Sequence, residues 1–257
     1  MTAPAPAPPL LEARDLTKRY GARVAVSGVS LDLEEGEVLA VVGESGSGKS
    51  TLLSVLAADL APDGGQVLYR GRDLHAMGEA ERRLLLRTEW GFVRQDARTG
   101  LRMNVSAGGN VGERLMAVGE RHYGRIRGAA LDWLDRVEIA ADRVDDRPRD
   151  FSGGMRQRLQ IARNLVTRPK VVLMDEPTSG LDVSVQARLL DLVRGLAAEL
   201  GLAVVIVTHD LAVARLLSHR MIVMREGRVV EEGLTDRVLD DPAHPYTQLL
   251  VSSVLAA

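Results

Sequence analysis

The alternation of polar and apolar positions changes period several times along the chain, and each change marks an element. Short β-rich segments run from Leu10 to Arg14 and from Val24 to Leu33, and a Glu35-Gly36 turn leads into the run Glu37 to Val42. Further strands are predicted at Val67–Tyr69 and Trp90–Val93. The continuous apolar runs Val171–Met174 and Ala203–Val207 fit strands buried on both faces, the pattern of a parallel sheet. Between them Val185, Leu189, Leu192 and Leu196 recur at helical spacing and predict a crossover helix. Strand and helix in alternation argue for an α/β layered fold. From residue 97 to residue 166 that rhythm gives way to mostly helical spacing, which predicts an inserted helical subdomain within one domain spanning 10–257. Residues 1–9, rich in Pro and Ala, predict an extended, poorly ordered tail.

Composition narrows the functions this fold can serve. Apolar residues at 46% and charged residues at 26% of 257 suit a soluble domain with an ample core. The 33 basic and 35 acidic residues nearly cancel, so no broad polyanion-binding surface, and hence no nucleic-acid partner, is expected. Apolar runs such as Leu202–Val207 are far shorter than the ~20 residues that span a bilayer. The N-terminus lacks the basic start and apolar stretch of a secretory signal. A cytoplasmic protein without direct membrane insertion is expected. The absence of cysteine excludes disulfides, iron–sulfur clusters and thiolate zinc sites from this chain.

The chemistry begins at Gly43-Glu44-Ser45-Gly46-Ser47-Gly48-Lys49-Ser50-Thr51, which follows a predicted strand and opens a predicted helix. That context makes it a P-loop rather than a chance Gly/Ser turn. Glycines let the backbone curl so that N–H groups point at phosphate, aided by the positive end of the helix. Lys49 supplies a charge to the β- and γ-phosphates, and Ser50 a hydroxyl for Mg²⁺. Lys49 is one of only three lysines among 33 basic residues, and it stands where the forked guanidinium of arginine is a poor substitute.

The buried run Val171–Met174 ends in Asp175-Glu176. In a parallel sheet, ligands gather at the carboxyl ends of strands, which places both acids beside the P-loop. Asp175 would then hold Mg²⁺ and Glu176 would orient and deprotonate the attacking water. A solvated strand end is the plainer alternative for an isolated acid pair. His209 follows a second such run and reads either as a structural histidine or as a donor to the γ-phosphate. Gln95 ends another predicted strand and could reach metal and water.

Phe151-Ser152-Gly153-Gly154-Met155 precedes a helix whose apolar face is Met155, Leu159, Ala162 and Val166. Ordinary N-capping by Ser152 is one reading, but it leaves two glycines unexplained at a helix start. Ser152-Gly153-Gly154 is also a good anion site, and the chain already has a phosphate cradle. The economical solution is that it caps the γ-phosphate bound to a second copy.

These segments, in this order, resemble those of ATP-binding-cassette (ABC) ATPases over essentially the whole chain after the tail. The resemblance rests on Gly43–Thr51 (Walker A), Gln95 (Q-loop), Phe151–Met155 (signature), Val171–Glu176 (Walker B), Ser179–Asp182 (D-loop) and His209 (switch histidine). It implies a P-loop NTPase fold of ABC type: a RecA-like parallel-sheet core, an antiparallel β subdomain and an inserted helical subdomain. It implies ATP and Mg²⁺ as ligands, with Gln95 beside Ser50 and Asp175 at the metal, Tyr20 stacked on adenine, and a head-to-tail homodimer closing on two ATP. The alternative for Tyr20 is a half-buried surface tyrosine. The signature departs from the usual Leu-Ser-Gly-Gly-Gln at Phe151 and Met155.

Two partners compete. Asp241-Pro242-Ala243-His244-Pro245-Tyr246-Thr247 is similar to the tail of oligopeptide and dipeptide importer ATPases, though a rigid turn docking the last helix explains it as well. Arg82–Gly91, Val105–Met116, Gln160–Val166 and Asp236–Ser253 resemble the cassette ATPases of the bacterial carbon–phosphorus lyase system. Dipeptide-type importers usually carry a Pro-rich segment after the Q-loop, whereas Asp96–Asn104 has no proline. The second resemblance implies the soluble lyase core as partner, with Gly108-Gly109 in a docking surface; a flexible glycine loop is the bland alternative.

Overall fold

Val38–Val42 is a strand in which all five residues are buried, and the phosphate loop hangs from its end. The computed structural model describes residues 8–255, so most of the predicted tail, residues 1–7, lies outside the described residues. Contacts divide the chain into two units: the residues before Glu79 together with His209 onward, and Glu79–Thr208.

In the first unit, Arg23–Leu33, Leu11–Tyr20, Gly64–Tyr69 and Arg72–Asp73 form an antiparallel sheet in that order. One face is core, because Leu11, Ala13 and Leu16 on one strand lie opposite Leu33, Leu31 and Val29 on the next, all six buried. The second layer pairs Val38–Val42 in parallel with Arg220–Arg225, Val41 opposite Ile222, and Arg228–Leu234 returns antiparallel. His219 pins this register from both sides. Its Nδ1 accepts the Val38 N–H at 2.9 Å, and its own N–H donates to the Val38 carbonyl at 2.8 Å.

The second unit carries the three parallel strands Trp90–Val93, Val171–Asp175 and Ala203–Thr208, with Val93 opposite Met174 and Asp175 opposite Val207. The two continuous apolar runs are buried on both faces, as their composition predicts. The crossover helix runs Val183–Leu200 and ends on Gly201 in the left-handed region at φ 59°. Its buried stripe is Leu189, Leu190, Val193, Leu196 and Ala197, not the predicted Val185-Leu189-Leu192-Leu196. Leu192 is only half-buried, since two candidate stripes share Leu189 and Leu196 and packing favours the one through Val193.

Residues 97–166 hold the helices Ala97–Gly100, Ala107–Ala117, Tyr123–Arg136 and Gly153–Leu165, with 3-10 turns at Ala141–Asp145 and Pro148–Asp150. The Gly108-Gly109 pair is not a flexible loop. It lies in a helix capped by Ser106, whose Oγ accepts the Gly109 N–H at 3.1 Å. A Cβ on Gly108 would meet Val144 at 2.7 Å and one on Gly112 would meet Ile126 at 2.5 Å, so these glycines permit close helix packing. Asn110 is fully buried beneath them and spends its amide on the backbone of Arg102, Val105 and Ser106.

Candidate functional site

In the first unit, the loop between Val42 and the helix Lys49–Leu56 is wedged into its neighbours. Gly43, Gly46 and Gly48 have φ of 149°, 82° and 104°. A Cβ on Gly43 would lie 2.2 Å from the Met224 carbonyl, and one on Gly48 2.2 Å from that of Ala25. No other residue type fits at either place. The Gly227 N–H donates to the Ser47 carbonyl at 2.9 Å and Arg23 reaches that of Gly46 at 3.3 Å, which fixes the curl. Lys49, 5% exposed, folds its ammonium onto the carbonyls of Gly43 and Glu44, each at 2.7 Å, and Ser47 Oγ at 3.3 Å. Its charge is thus directed into the loop. Gly48 caps the helix without a side-chain hydrogen bond, unlike Ser152 and Asp210 at their helices. The first backbone N–H groups of this helix thus have no side-chain cap. Glu44, Ser45, Gly46 and Ser50 are exposed and Thr51 half-buried.

Two further predicted residues belong to this unit. Tyr20 ends its strand at 52% exposure, which leaves a ring face open to stacking. His209 is exposed and immediately precedes Asp210, whose carboxylate accepts from the N–H groups of Ala212 and Val213 and so starts the helix Leu211–Leu217.

The second unit gathers Gln95, Glu176 and Ser179. Glu176 has φ 43°, a left-handed conformation that costs a non-glycine residue of order 1 kcal/mol. It is held there by its N–H, which donates to the Val207 carbonyl at 2.9 Å, and by its carbonyl, which accepts the Ser179 N–H at 3.1 Å. Gln95 Nε2 donates to Ser179 Oγ at 3.2 Å, so one serine ties the Q-loop to the acid. Asp175 is half-buried at the strand end. The donors named for a metal, the Ser50 hydroxyl, the Gln95 amide and the Asp175 carboxylate, are hard oxygens and suit Mg²⁺.

The signature also lies in this unit. Ser152 Oγ accepts the Met155 N–H at 3.2 Å, the ordinary capping bond. Gly154 has a packing reason that its sequence context did not reveal: a Cβ there would come within 2.5 Å of Val185. A Cβ on Gly153 would make only ordinary contact, 3.6 Å from Leu181, so packing does not demand that glycine. Phe151, the departure from the usual leucine, is buried with Arg143 stacked 4.9 Å from its ring centre.

Four residues that support the site had been given no role in it. Tyr246 touches the phosphate loop, His219 registers the strand before it, and Gln160 with Asn164 holds the strand leading to Gln95. The last pair had a signal, two amides at i,i+4 spacing, which puts both on one face of a helix. In the segment Val105–Met116, which holds the predicted docking surface, Val105 and Met116 remain 36% and 44% exposed. Arg114 turns inward to the Trp90 carbonyl at 2.6 Å, and burial, with neighbouring Arg163, pushes its guanidinium down to about 10.

Comparison with known proteins agrees with this geometry. A sequence model of the family described as ABC transporter matches residues 26–179. The chain is 68% identical over 247 residues to the putative phosphonates utilization ATP-binding protein PhnK of Escherichia coli (strain K12), covering 96% of this chain and 98% of that protein. It is 40% identical over 255 residues to the dipeptide transport ATP-binding protein DppF of the same strain, covering 95% of this chain and 76% of that one. A dimeric ATP-binding cassette solved in a post-hydrolysis state with ADP and Pi superposes with a TM-score of 0.80 at 32% identity, covering 88% of this chain and 98% of that one.

Proposed function

We propose, for a chain that belongs to the ABC transporter family and is an ABC-type ATPase, that two copies close head to tail on two ATP–Mg²⁺ and that their cycle serves a soluble carbon–phosphorus lyase in phosphonate catabolism. One observation carries the assignment to phosphonates: 68% identity across 98% of a protein named for phosphonate utilization, against 40% to a dipeptide-transport subunit. The dimeric cassette on which this chain superposes supports the pairing of two copies.

In this reading the loop Gly43–Thr51 binds phosphate through its N–H groups, and Lys49 Nζ turns from the loop carbonyls to the β- and γ-phosphates. Ser50, Gln95 and Asp175 would hold Mg²⁺, which when bound neutralises charge on the phosphates. Glu176 orients a water and accepts its proton as that oxygen attacks phosphorus; ADP leaves with the electron pair of the broken P–O bond. His209 donates a hydrogen bond to a γ-phosphate oxygen, and Tyr20 stacks on adenine. Ser152–Gly154 of one copy meets the γ-phosphate held by the other's loop. The helical residues 97–166 present Val105 and Met116 to the lyase core in the cytoplasm. No helix among the described residues is long and apolar enough to cross a membrane.

The test is a detergent-free pull-down of the tagged protein from phosphate-starved cells growing on a phosphonate, with partners identified by mass spectrometry. Soluble lyase subunits recovered in an ATP-dependent ratio are the expected result. Recovery only from membranes, together with a permease, would make this an importer subunit instead.

A further inference from the structure

Among the described residues the strand Trp90–Val93 lies at an edge, hydrogen-bonded in its sheet only to Val171–Asp175. Its outer side needs partners, because an unpaired backbone group inside a protein costs about 1–3 kcal/mol. No further strand among the described residues supplies them; the helix behind the signature does. Asn164 Oδ1 accepts the Phe92 N–H at 3.0 Å. Gln160 Oε1 accepts the Arg94 N–H at 2.7 Å, while Gln160 Nε2 donates to the Arg94 carbonyl at 3.1 Å. The Gln160 amide therefore pairs with the peptide of Arg94 as a neighbouring strand would. Gln157 adds a third bond, from Nε2 to the Arg94 carbonyl at 3.3 Å. All three side chains are buried, Gln160 completely. The neighbouring glycines are shaped around them. A Cβ on Gly100 would lie 2.2 Å from Gln160 Oε1, and one on Gly91 3.3 Å from the Asn164 Cβ.

Arg94 precedes Gln95, and Gln160 stands on the same rigid helix as Ser152–Gly154. We infer that Gln160 is a positioning residue for ATP hydrolysis: by pairing with Arg94 it makes the Gln95 loop and the Ser152–Gly154 helix start move as one body. Asn164 and Gly100 support it. Gln95 is then delivered to its site only when the signature is in the matching position, which ties the element reaching a second copy to the glutamine that serves the chain's own nucleotide. The inference rests on the reading of Gln95 proposed above.

Gln160→Met keeps length and approximate volume but can pair with neither group of Arg94. In the full-length protein, kcat is expected to fall about two- to thirty-fold, the range of couplings carried by such networks. KM for ATP should stay within about two-fold, because the phosphate loop is untouched. In a Gln95→Ala background the same substitution should change kcat by less than about two-fold, since residues acting through one another are non-additive. A structural defect alone would multiply with Gln95→Ala and would track the loss of folded protein. Should Gln160→Met not fold, Gly100→Ala displaces the same amide from the opposite side and carries the same expectations. An unchanged kcat for Gln160→Met, or losses that multiply, overturns the inference while leaving Gln95 in place. Full activity of Gln95→Ala alone overturns the reading of Gln95 and this inference with it.

Discussion

The phenolic oxygen of Tyr246 accepts a hydrogen bond from the backbone N–H of Glu44 at 3.2 Å, so the helix Pro245–Leu255 holds the second residue of the phosphate loop. The ring is buried, with Arg225 over it 5.0 Å from its centre. The turn before it is fixed by Glu231, whose carboxylate oxygens accept from the N–H groups of Ala243 and His244 at 2.8 and 2.9 Å. The bonds from Ala243 and His244 to Glu231 thus hold the start of the last helix, a role the turn has whatever partner the family tail suggests. Tyr246→Phe keeps the ring and deletes the acceptor. A lost hydrogen bond of about 0.5–1.5 kcal/mol predicts ATP affinity weaker by about two- to twelve-fold, read with a fluorescent nucleotide. Unchanged affinity would show that the loop keeps its shape unaided.

Asn110 offers a stability test in the helix Ala107–Ala117, beside the predicted docking glycines. It has no exposed surface and satisfies backbone groups of Arg102, Val105 and Ser106. Asn110→Ala should destabilise the protein by about 1–3 kcal/mol for each backbone group left buried and unpaired. Urea denaturation reads this directly, as a lower midpoint with the slope preserved. A loss well under 1 kcal/mol would mean that water replaces the amide and that the segment is looser than its packing implies.

The sequence revealed features that are local and missed those that are not. Val171–Met174 and Ala203–Val207 announce buried strands because every residue is apolar, and Gly43–Lys49 announces its curl because only glycine permits it. The bond from Glu44 to Tyr246 spans 202 residues, and no period in the chain encodes it. Gly154 shows a subtler limit. Its glycine suits an anion site, yet Val185 on another helix already requires it, so one residue carries two sufficient reasons. The strain at Glu176 was also hidden, since glutamate has no preference for positive φ and tertiary contacts impose it.

Glu120 gives a prediction about pH. Arg125 bonds its carboxylate through Nε at 2.8 Å and Nη2 at 2.9 Å, and the backbone N–H groups of His122 and Arg121 each add a bond at 2.8 Å. These contacts, the Arg125 pair first, hold the carboxyl down to about 2. The folded value lies below the unfolded ~4.3. The stabilisation is therefore complete above that value and is lost as pH falls from ~4.3 towards 2. Carbon-13 NMR of the Glu120 carboxyl should show a midpoint near the lower end, and Arg125→Ala should return it towards ~4.3. Because the group is exposed, added salt should shrink the difference. A parent midpoint already near ~4.3 would show that the turn does not hold this geometry in solution.

Glu176 and Lys49 should fail in different ways, and the difference tests the assignment of roles. Glu176 is fixed by backbone bonds to Val207 and Ser179 that do not involve its carboxylate. Glu176→Gln therefore keeps these backbone bonds and removes the proposed base. ATP should still bind and the dimer should persist, while turnover falls by about 10²- to 10⁴-fold, the contribution of a positioned base. Lys49 instead lies inside the cradle, within 2.7 Å of the Gly43 and Glu44 carbonyls. Lys49→Ala removes the charge that meets phosphate, so affinity itself should drop. Equilibrium nucleotide binding and single-turnover hydrolysis, measured side by side, separate the two. Normal hydrolysis by Glu176→Gln would move the base to another residue, and normal affinity in Lys49→Ala would remove the cradle's central charge from the binding argument.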